Sequence, residues 1–592
     1  MNKATQLLLW LAVLCLAAPA IQAQTITASL EGIVTDPTNA VIVGAKVRVI
    51  SEGTNAVTAL ETDANGRFLA PSLPPGSYQL SVEAAGFKKA ERTGIALQVN
   101  QAARIELQLE LGSATETVSV NATAPLLEAN SAALGQVVSN ESIVNLPLNQ
   151  RNPFALVFLV PGVVGGVGFN FNNANISING GRPGSNEILA DGIPSAPPLV
   201  NPIQGYSVFP SVDAVQEFKV QTNSYSAEFG RSGGGIINLV FKSGTNQLHG
   251  SVFEFLRNSK LDANDFFANS RNVPLPSFKR NQFGTSVGGP VYLGKVYDGR
   301  NRTFFHFTYE GLRQGQLQNQ LTTVPTDLQR AGNFTQTRNA AGQQIIIYDP
   351  TTTTPSGTAF TRQPFAGNVI PAARLDPVGA AVARFYPLPN GPGNVNSGLN
   401  NFAASGKSVV NINQFDVKGD EILNDYHRLF FRYSRRRLSP APPDYFPSDV
   451  LIAQGGSFQP QHYNNAAFDY TWSASPTTLL NFRYGLGRTA FFYRPRSDGF
   501  NPTQLGFPSY IAAQSDRIMF PGFASQGYVN LGNGGSGDFS NAAFETHIAS
   551  ASATKVLTTH TFKFGYEARM LRVNTLQAGA STGNYSFTRA FT

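Results

Sequence analysis

Residues 302–311 read RTFFHFTYEG, and the alternation in this stretch decides the fold class of most of the chain. Phe305, Phe307 and Tyr309 fall on one face of an extended segment, with His306, Thr308 and Glu310 on the other. Side chains of a strand project to opposite faces with a period of two. The pattern recurs in TLLNFRYGLG (478–487), where Leu480, Phe482 and Tyr484 oppose Asn481 and Arg483. In HTFKFGYEAR (560–569), Phe562, Phe564 and Tyr566 oppose Lys563 and Glu567. A soluble sandwich could carry the same alternation, so the connections have to separate the two cases. Nine such strands are predicted, at about 247–257, 281–291, 302–312, 408–419, 427–437, 462–472, 478–490, 543–556 and 560–572. Connections after the second, fourth, sixth and eighth are short; those after the first, third, fifth and seventh are long, the longest running from about 313 to 407. Short turns on one side and long loops on the other are the asymmetry of a transmembrane β-barrel. Aromatics on its outer face would meet lipid, polar residues would line its lumen, and closure would remove exposed edges.

Working outward from the barrel, the N-terminus indicates the compartment. Residues 1–23 carry Lys3, the apolar run LLLWLAVLCLAA and then APAIQA, the order of a secretory signal peptide. The apolar run is too short to span a bilayer. Cys15 is the chain's single cysteine, so the exported part is expected to lack disulfides, cysteine nucleophiles and Cys-based zinc sites. Only 14% of residues are charged, against 43 Phe, 19 Tyr and 56 Gly, a composition suited to β-structure with many turns. The net charge of +7 is spread along the chain, so no nucleic-acid partner is expected.

Residues 25–111 divide into short strands separated by Pro, Gly and Asn-Gly turns: ASLEGIVTD, AKVRVIS, TALETDANGRFLA, GSYQLSVEAAG and ARIELQLEL. In the last, Ala103, Ile105, Leu107 and Leu109 face one way and Arg104, Glu106, Gln108 and Glu110 the other. Regular spacing of such strands predicts a small β-sandwich. The motifs Gly32-Ile33-Val34-Thr35-Asp36, Ala45 to Val49, Thr62 to Phe68 and Leu73 to Tyr78 resemble the carboxypeptidase regulatory-like domain. That resemblance implies an accessory module without catalytic residues.

Residues 112–245 are rich in Gly and Asn. ESIVNLPLNQRNPFALVFLVPGVV starts as a helix, and NISINGGRPGSNEILADGIP and VDAVQEFKVQTNSYSAEFGRSGGGIINLVFKSG read as strand pairs joined by glycine turns. An accessory β-domain, a Gly/Asn-rich globular segment and a long aromatic barrel, in that order, resemble a TonB-dependent outer-membrane receptor of the Oar-like subgroup. The most specific stretches are Asn179-Gly180-Gly181-Arg182 through Leu189-Ala190-Asp191-Gly192, Val215 to Phe218, and Ser226 to Asn246. The resemblance implies a mainly β protein. Residues 25–111 are then a β-sandwich, 112–124 a linker, 125–245 a globular plug and 246–592 the first part of a transmembrane antiparallel barrel. Nine strands and the start of a tenth at YSFTRAFT (585–592) fall short of the roughly 22 of such transporters, so a truncated barrel is expected. Within the linker, Glu116-Thr117-Val118-Ser119-Val120 resembles the TonB box, an extended segment suited to strand addition by TonB; a plain linker, or a last strand of the preceding domain, is the alternative. Gly180, Gly181, Arg182, Asp191, Gly192, Gly230, Gly233, Gly234 and Gly235 are expected to form plug turns.

Gly230-Arg231-Ser232-Gly233-Gly234 also fits G-x-S-x-G, the nucleophile turn of serine hydrolases. That elbow needs a helix after the serine. Here glycines and the strand-like IINLVF follow, and a second match lies at Gly284 to Gly288 inside a predicted strand. The six histidines show no metal-ligand spacing. No enzyme, metal or cofactor is therefore expected. Arg435-Arg436-Arg437 follows a predicted strand at its long-loop end and is read as a solvated loop or as a site for lipopolysaccharide phosphates. The expected partners are TonB, outer-membrane lipid and an extracellular substrate (oligosaccharide, peptide or metal chelate) whose binding residues follow no recognisable pattern. The expected location is the outer membrane of a Gram-negative-type bacterium. A structural or adhesive outer-membrane protein, and a secreted hydrolase, are the competing readings.

Overall fold

The computed structural model describes residues 27–113, 117–121, 132–148, 150–167, 174–195, 208–357, 359–475, 477–535, 538–557 and 560–588. The expected leader at 1–23 and Glu116 lie outside the described residues.

The N-terminal unit is a two-sheet sandwich. One sheet has the order Arg67–Leu73, Ala28–Thr35, Ala102–Gln108, and the other Val57–Glu61, Lys46–Ser51, Gly76–Glu83, Lys89–Leu97, Thr117–Asn121. Leu30, Val47, Leu80, Ile105 and Leu109 meet between the sheets. The segment TALETDANGRFLA forms two strands rather than one. Asp63 Oδ1 accepts from the amides of Asn65 (2.8 Å) and Arg67 (2.9 Å), and Gly66 has φ +67°; these close a turn. The strand Lys89–Leu97 escaped the sequence reading because KAERTGIAL opens with polar residues and buries only Ile95 and Leu97. Thr117–Asn121 adds to it in parallel, from Lys89 opposite Thr117 to Thr93 opposite Asn121.

A second unit follows, with a sheet ordered Ile193–Pro194, Glu187–Ala190, Ile236–Phe241, Val215–Asn223, Leu134–Val138. Its core includes Ile143, Val157, Phe218, Ile237 and Leu239. The expected helix is present at Asn140–Asn145, where the Ser139 side chain caps the first turn. Val215–Asn223 pairs antiparallel with Ile236–Phe241 as expected. The other expected pair does not form. Ala174–Ile178 pairs with Val163–Val167, whereas Glu187–Ala190 runs parallel to Ile236–Phe241. The connection between them, with Asn179, Gly180 and Gly184 all at positive φ, is too long for a tight hairpin.

All nine expected barrel strands are present: His249–Asn258, Phe278–Pro290, Thr303–Thr322, Phe402–Asn424, His427–Ala441, Gln461–Ser475, Thr478–Pro495, Phe539–Leu557 and His560–Ala578. Each pairs antiparallel with the next in one curved meander. Among the described residues the first and ninth strands do not pair with each other, so the sheet is open. No described helix is long and apolar enough to cross a membrane. The expected start of a tenth strand is corrected: Asn584–Phe587 pairs parallel with Gly522–Ser525 in a long loop. Tyr585 sits there against Phe523, with ring centroids 5.2 Å apart.

The two faces follow the sequence alternation. His306, Thr308, Asn481 and Arg483 are buried toward the second unit, while Phe482, Tyr484, Phe562, Phe564 and Tyr566 are exposed on the outer face. Arg435 to Arg437 lie inside the strand His427–Ala441 rather than after it. Alternation therefore splits the triplet. Arg436 turns inward, its guanidinium 4.4 Å from the Phe209 ring centroid, and only Arg435 and Arg437 remain on the outer side.

Candidate functional site

The inward face of the curved sheet encloses the second unit, and the buried contact between them joins apolar patches, such as Ile193 against Ala467 and Ile548, to a polar centre. At its centre is Asp191. The chain reaches it through Glu187–Ala190 and turns there with φ +47°, followed by Gly192 at φ +73°; Asp tolerates the left-handed region better than most residues. The carboxylate is fully buried. Arg432 Nε donates to its Oδ2 at 2.7 Å, Lys418 Nζ lies 3.4 Å from Oδ1, and the Phe241 amide donates to Oδ1 at 3.1 Å. Arg432, itself fully buried, also reaches the Ala190 carbonyl (3.2 Å) and Asn465 Oδ1 (2.6 Å). Two cations from the wall thus converge on one anion of the inner unit, with the surrounding hydrogen bonds that a buried ion pair requires.

Further contacts encircle this centre. Ser211 Oγ and Gln282 Nε2 both donate to Glu310, each at 2.6 Å. Arg569 lies 3.4 Å from Glu187, and Lys563 lies 2.6 Å from Glu228. Burial pushes the Glu187 carboxyl above its ordinary value, against the pull of the Arg569 charge.

At the short-turn rim the sandwich is seated on the inner unit. Val99 N–H donates to the Glu217 carboxylate, Lys219 Nζ donates to the Asn100 carbonyl at 3.1 Å, and Asn238 Nδ2 donates to Asn100 Oδ1 at 3.2 Å. Burial raises the Glu217 carboxyl to about 7, although the Val99 hydrogen bond and the Lys219 charge both oppose the shift.

At the opposite rim three long loops share a hydrophobic core. Val324, Tyr386, Phe446, Phe500, Phe520 and Leu531 pack there, and Asp349 is held to Arg374. The loops form an ordered cap over this part of the wall.

The predicted turn residues are placed as follows. Gly180 and Gly192 occupy left-handed conformations. A Cβ on Gly234 would stand 2.2 Å from Asn186 Oδ1, and one on Gly235 2.6 Å from the Gln221 carbonyl. Gly181 packs against the Ile178 carbonyl, and the Arg182 carbonyl accepts from Ser185 Oγ at 2.7 Å. Gly230 and Gly233 have neither positive φ nor crowding, and the left-handed residue of that turn is Arg231. Within this turn, close approach therefore demands glycine at 234 and 235 but not at 230 or 233. Ser232 Oγ donates to the carbonyls of Gly235 (2.9 Å) and Ser185 (3.2 Å), an arrangement that fixes a turn. The backbone of Thr117, Val118, Ser119 and Val120 forms the last strand of the sandwich sheet. Asp191 was expected as a turn residue; its role as the ionic centre depends on wall residues far away in sequence.

The outer face has its own order. Across five strands the Cα partners run Arg435, Asn464, Arg488, Glu545, Arg572, and Arg488 Nε is 3.0 Å from Glu545. Toward the short-turn rim, His427 stacks on Tyr470 and Trp472. From His427 to Arg435 the strand rises about 27 Å, or about 20 Å along the barrel axis at the usual tilt. That is close to the height of an outer-membrane apolar band.

Comparison with known proteins agrees with this geometry. A family model described as an outer membrane beta barrel domain matches residues 240–592, and one described as a carboxypeptidase regulatory-like domain matches residues 29–110. The TonB-dependent transporter Oar of Myxococcus xanthus is 30% identical over 249 residues, which is 40% of this chain and 22% of Oar. Among solved structures, the outer membrane transporter YddB of Escherichia coli aligns with TM-score 0.45 and 14% identity, over 74% of this chain and 48% of its own. The ferric enterobactin receptor PfeA of Pseudomonas aeruginosa aligns with TM-score 0.39 and 12% identity, over 75% of this chain and 49% of its own. The chain thus spans about half the length of these solved receptors, and the alignment takes in about a fifth of Oar.

Proposed function

From the premise that the chain belongs to the outer membrane β-barrel domain family, we propose that it is a TonB-dependent receptor that binds an extracellular substrate and imports it actively. One observation carries the reading: a globular unit fills the curved sheet and is tied to its wall through the buried Asp191–Arg432–Lys418 centre. A sheet that enclosed only water would need no such unit. On this reading residues 125–245 are the plug and the long-loop rim is extracellular. The capped loops, together with the outer surface of the plug, receive the substrate. Thr117–Val120, with Glu116, is the TonB box. Its extended backbone offers an edge to which a partner strand can add, and the pull of TonB then loosens the plug. Nothing is covalently transformed; the side chains bind, orient and release. The row Arg435, Arg488 and Arg572, with Glu545 between the last two, stands about 20 Å from the His427 stack along the barrel axis, a separation that suits contact with outer-leaflet phosphates; lipopolysaccharide is the proposed lipid partner.

Deletion of Glu116 to Val120 tests the reading. Growth of the variant strain across single nutrient sources should fail wherever growth of the parent depends on this protein, with the protein still present in the outer membrane. Retained growth, with adhesion or envelope integrity also unchanged, would replace the transport reading by a structural one.

A further inference from the structure

The β-sandwich has no part in the cycle outlined above, yet it stands where that cycle has to end. Its turn at Gln98–Gln101 projects into the short-turn mouth. Val99 is fully buried there although it lies outside the sandwich's own core, and the neighbouring amide and carbonyl are engaged by Glu217 and Lys219. Three contacts tie the sandwich to the rim. The Asn246 amide donates to the Gly53 carbonyl at 2.9 Å. Asn55 Nδ2 donates to Asn301 Oδ1 at 3.0 Å, and Arg428 Nη2 to Thr58 Oγ1 at 3.0 Å. Between sandwich, inner unit and wall lies a cavity of about 330 Å³, bounded by Tyr78 from the sandwich, Phe241 and Ser243 from the plug side, and Asp420, Arg428 and Arg483 from the wall. This chamber lies on the short-turn side, between the inner unit and the sandwich.

The topology also supplies a lever. Thr117–Asn121 is paired along Lys89–Leu97, and Lys89–Leu97 runs directly into the seated turn at Gln98–Gln101. A pull on the box strand is delivered through its partner strand to the contact that holds the sandwich down. The sandwich has its own core, while the seat at Gln98–Gln101 joins polar contacts to one buried valine. Polar interdomain contacts of that kind part before a core does. We propose that the β-sandwich is the periplasmic gate of this transporter, seated on the inner unit in this structure, and that traction on Thr117–Asn121 lifts it; the inference rests on the transport reading.

Residues 16–592 hold no cysteine, which suits this region to a direct test in cells carrying the full-length protein, with any cysteine elsewhere in it replaced by serine. Asn55→Cys and Asn301→Cys are bridged with a cleavable bis-methanethiosulfonate, and Ser243→Cys in the chamber is labelled with fluorescein maleimide and quantified by peptide mass spectrometry. Without the bridge, energised cells should label residue 243 at least about tenfold faster than protonophore-treated cells, as for a minor open state made prominent. With the bridge, labelling should fall to the protonophore level and recover on cleavage. Thr58→Cys bridged to Arg428→Cys gives the same result from another side of the seat and guards against a local folding defect. Energised labelling that persists through both bridges overturns the gate, as does rapid labelling without energy. Slow labelling with and without energy overturns the gate as well; the transport reading stands or falls separately, on the growth of the Glu116–Val120 deletion strain.

Discussion

Replacing Asp191 by Asn removes one charge from the centre of the plug–wall contact while keeping the side-chain volume and a residue tolerant of φ +47°. The loss can be worked from the contacts. Arg432 is fully buried and Lys418 nearly so, and both would be left without the anion that they share. Removing one partner of a buried ion pair costs about 3–5 kcal/mol, because the remaining charge stays desolvated. The Phe241 amide can still donate to the Asn oxygen, so that hydrogen bond survives. Amide hydrogen exchange on the detergent-solubilised full-length protein is the assay. Protection of Glu187–Ala190 and Ile236–Phe241 should fall by about a hundredfold or more, since each 1.4 kcal/mol is a factor of about ten. Asp191→Ala should lose about 1–2 kcal/mol more, from the left-handed backbone that Ala resists. Adding Arg432→Met and Lys418→Met to Asp191→Asn should recover much of the loss, because apolar replacement of a whole buried charge cluster is often neutral. Exchange in Asp191→Asn within a factor of about two of the parent, near the ordinary effect of surface substitutions, would refute the idea that this cluster holds the plug.

Three other outcomes are expected. The Glu217 carboxyl titrates at about 7 in the seated state against an ordinary 4.5, so seating binds the proton more tightly. The contribution of Glu217 to seating is complete below pH 4.5 and is lost as pH rises through about 7; protection of the Val99 amide should follow that course, and Glu217→Gln should flatten it. Gly235→Ala drives a Cβ against the Gln221 carbonyl and the Ile178 side chain and should cost about 1–3 kcal/mol, whereas Gly230→Ala meets nothing and should stay within about 0.5 kcal/mol, both read by hydrogen exchange of Ile236–Phe241. Phe520→Ala empties a fully buried site in the loop core and should destabilise the cap by about 3–5 kcal/mol, measured as accelerated proteolysis of the loop 496–538 with the barrel strands still protected.

The sequence alone determined the number, order and facing of the nine wall strands, because a period of two is a local property, but it set several too short, Thr303–Thr322 by ten residues at its long-loop end. Phe482 and Tyr484 outside, and Asn481 and Arg483 inside, follow from their parity in the strand. The side of each connection followed from its length, and the sandwich core from the clean alternation of Ala103, Ile105, Leu107 and Leu109. Where alternation was weak, as in KAERTGIAL, the strand was missed. Arg435–Arg437 were read as following their strand although the predicted range 427–437 contained them, and in the structure they lie within His427–Ala441. Parity states which way a side chain faces; it does not say what it will face. That Asp191 meets Arg432 and Lys418, that Arg436 lies on Phe209, and that the Val99 amide is spent on Glu217 were settled only when distant segments came together. A charge becomes a lock, and a turn a seat, only when another part of the chain has removed its water.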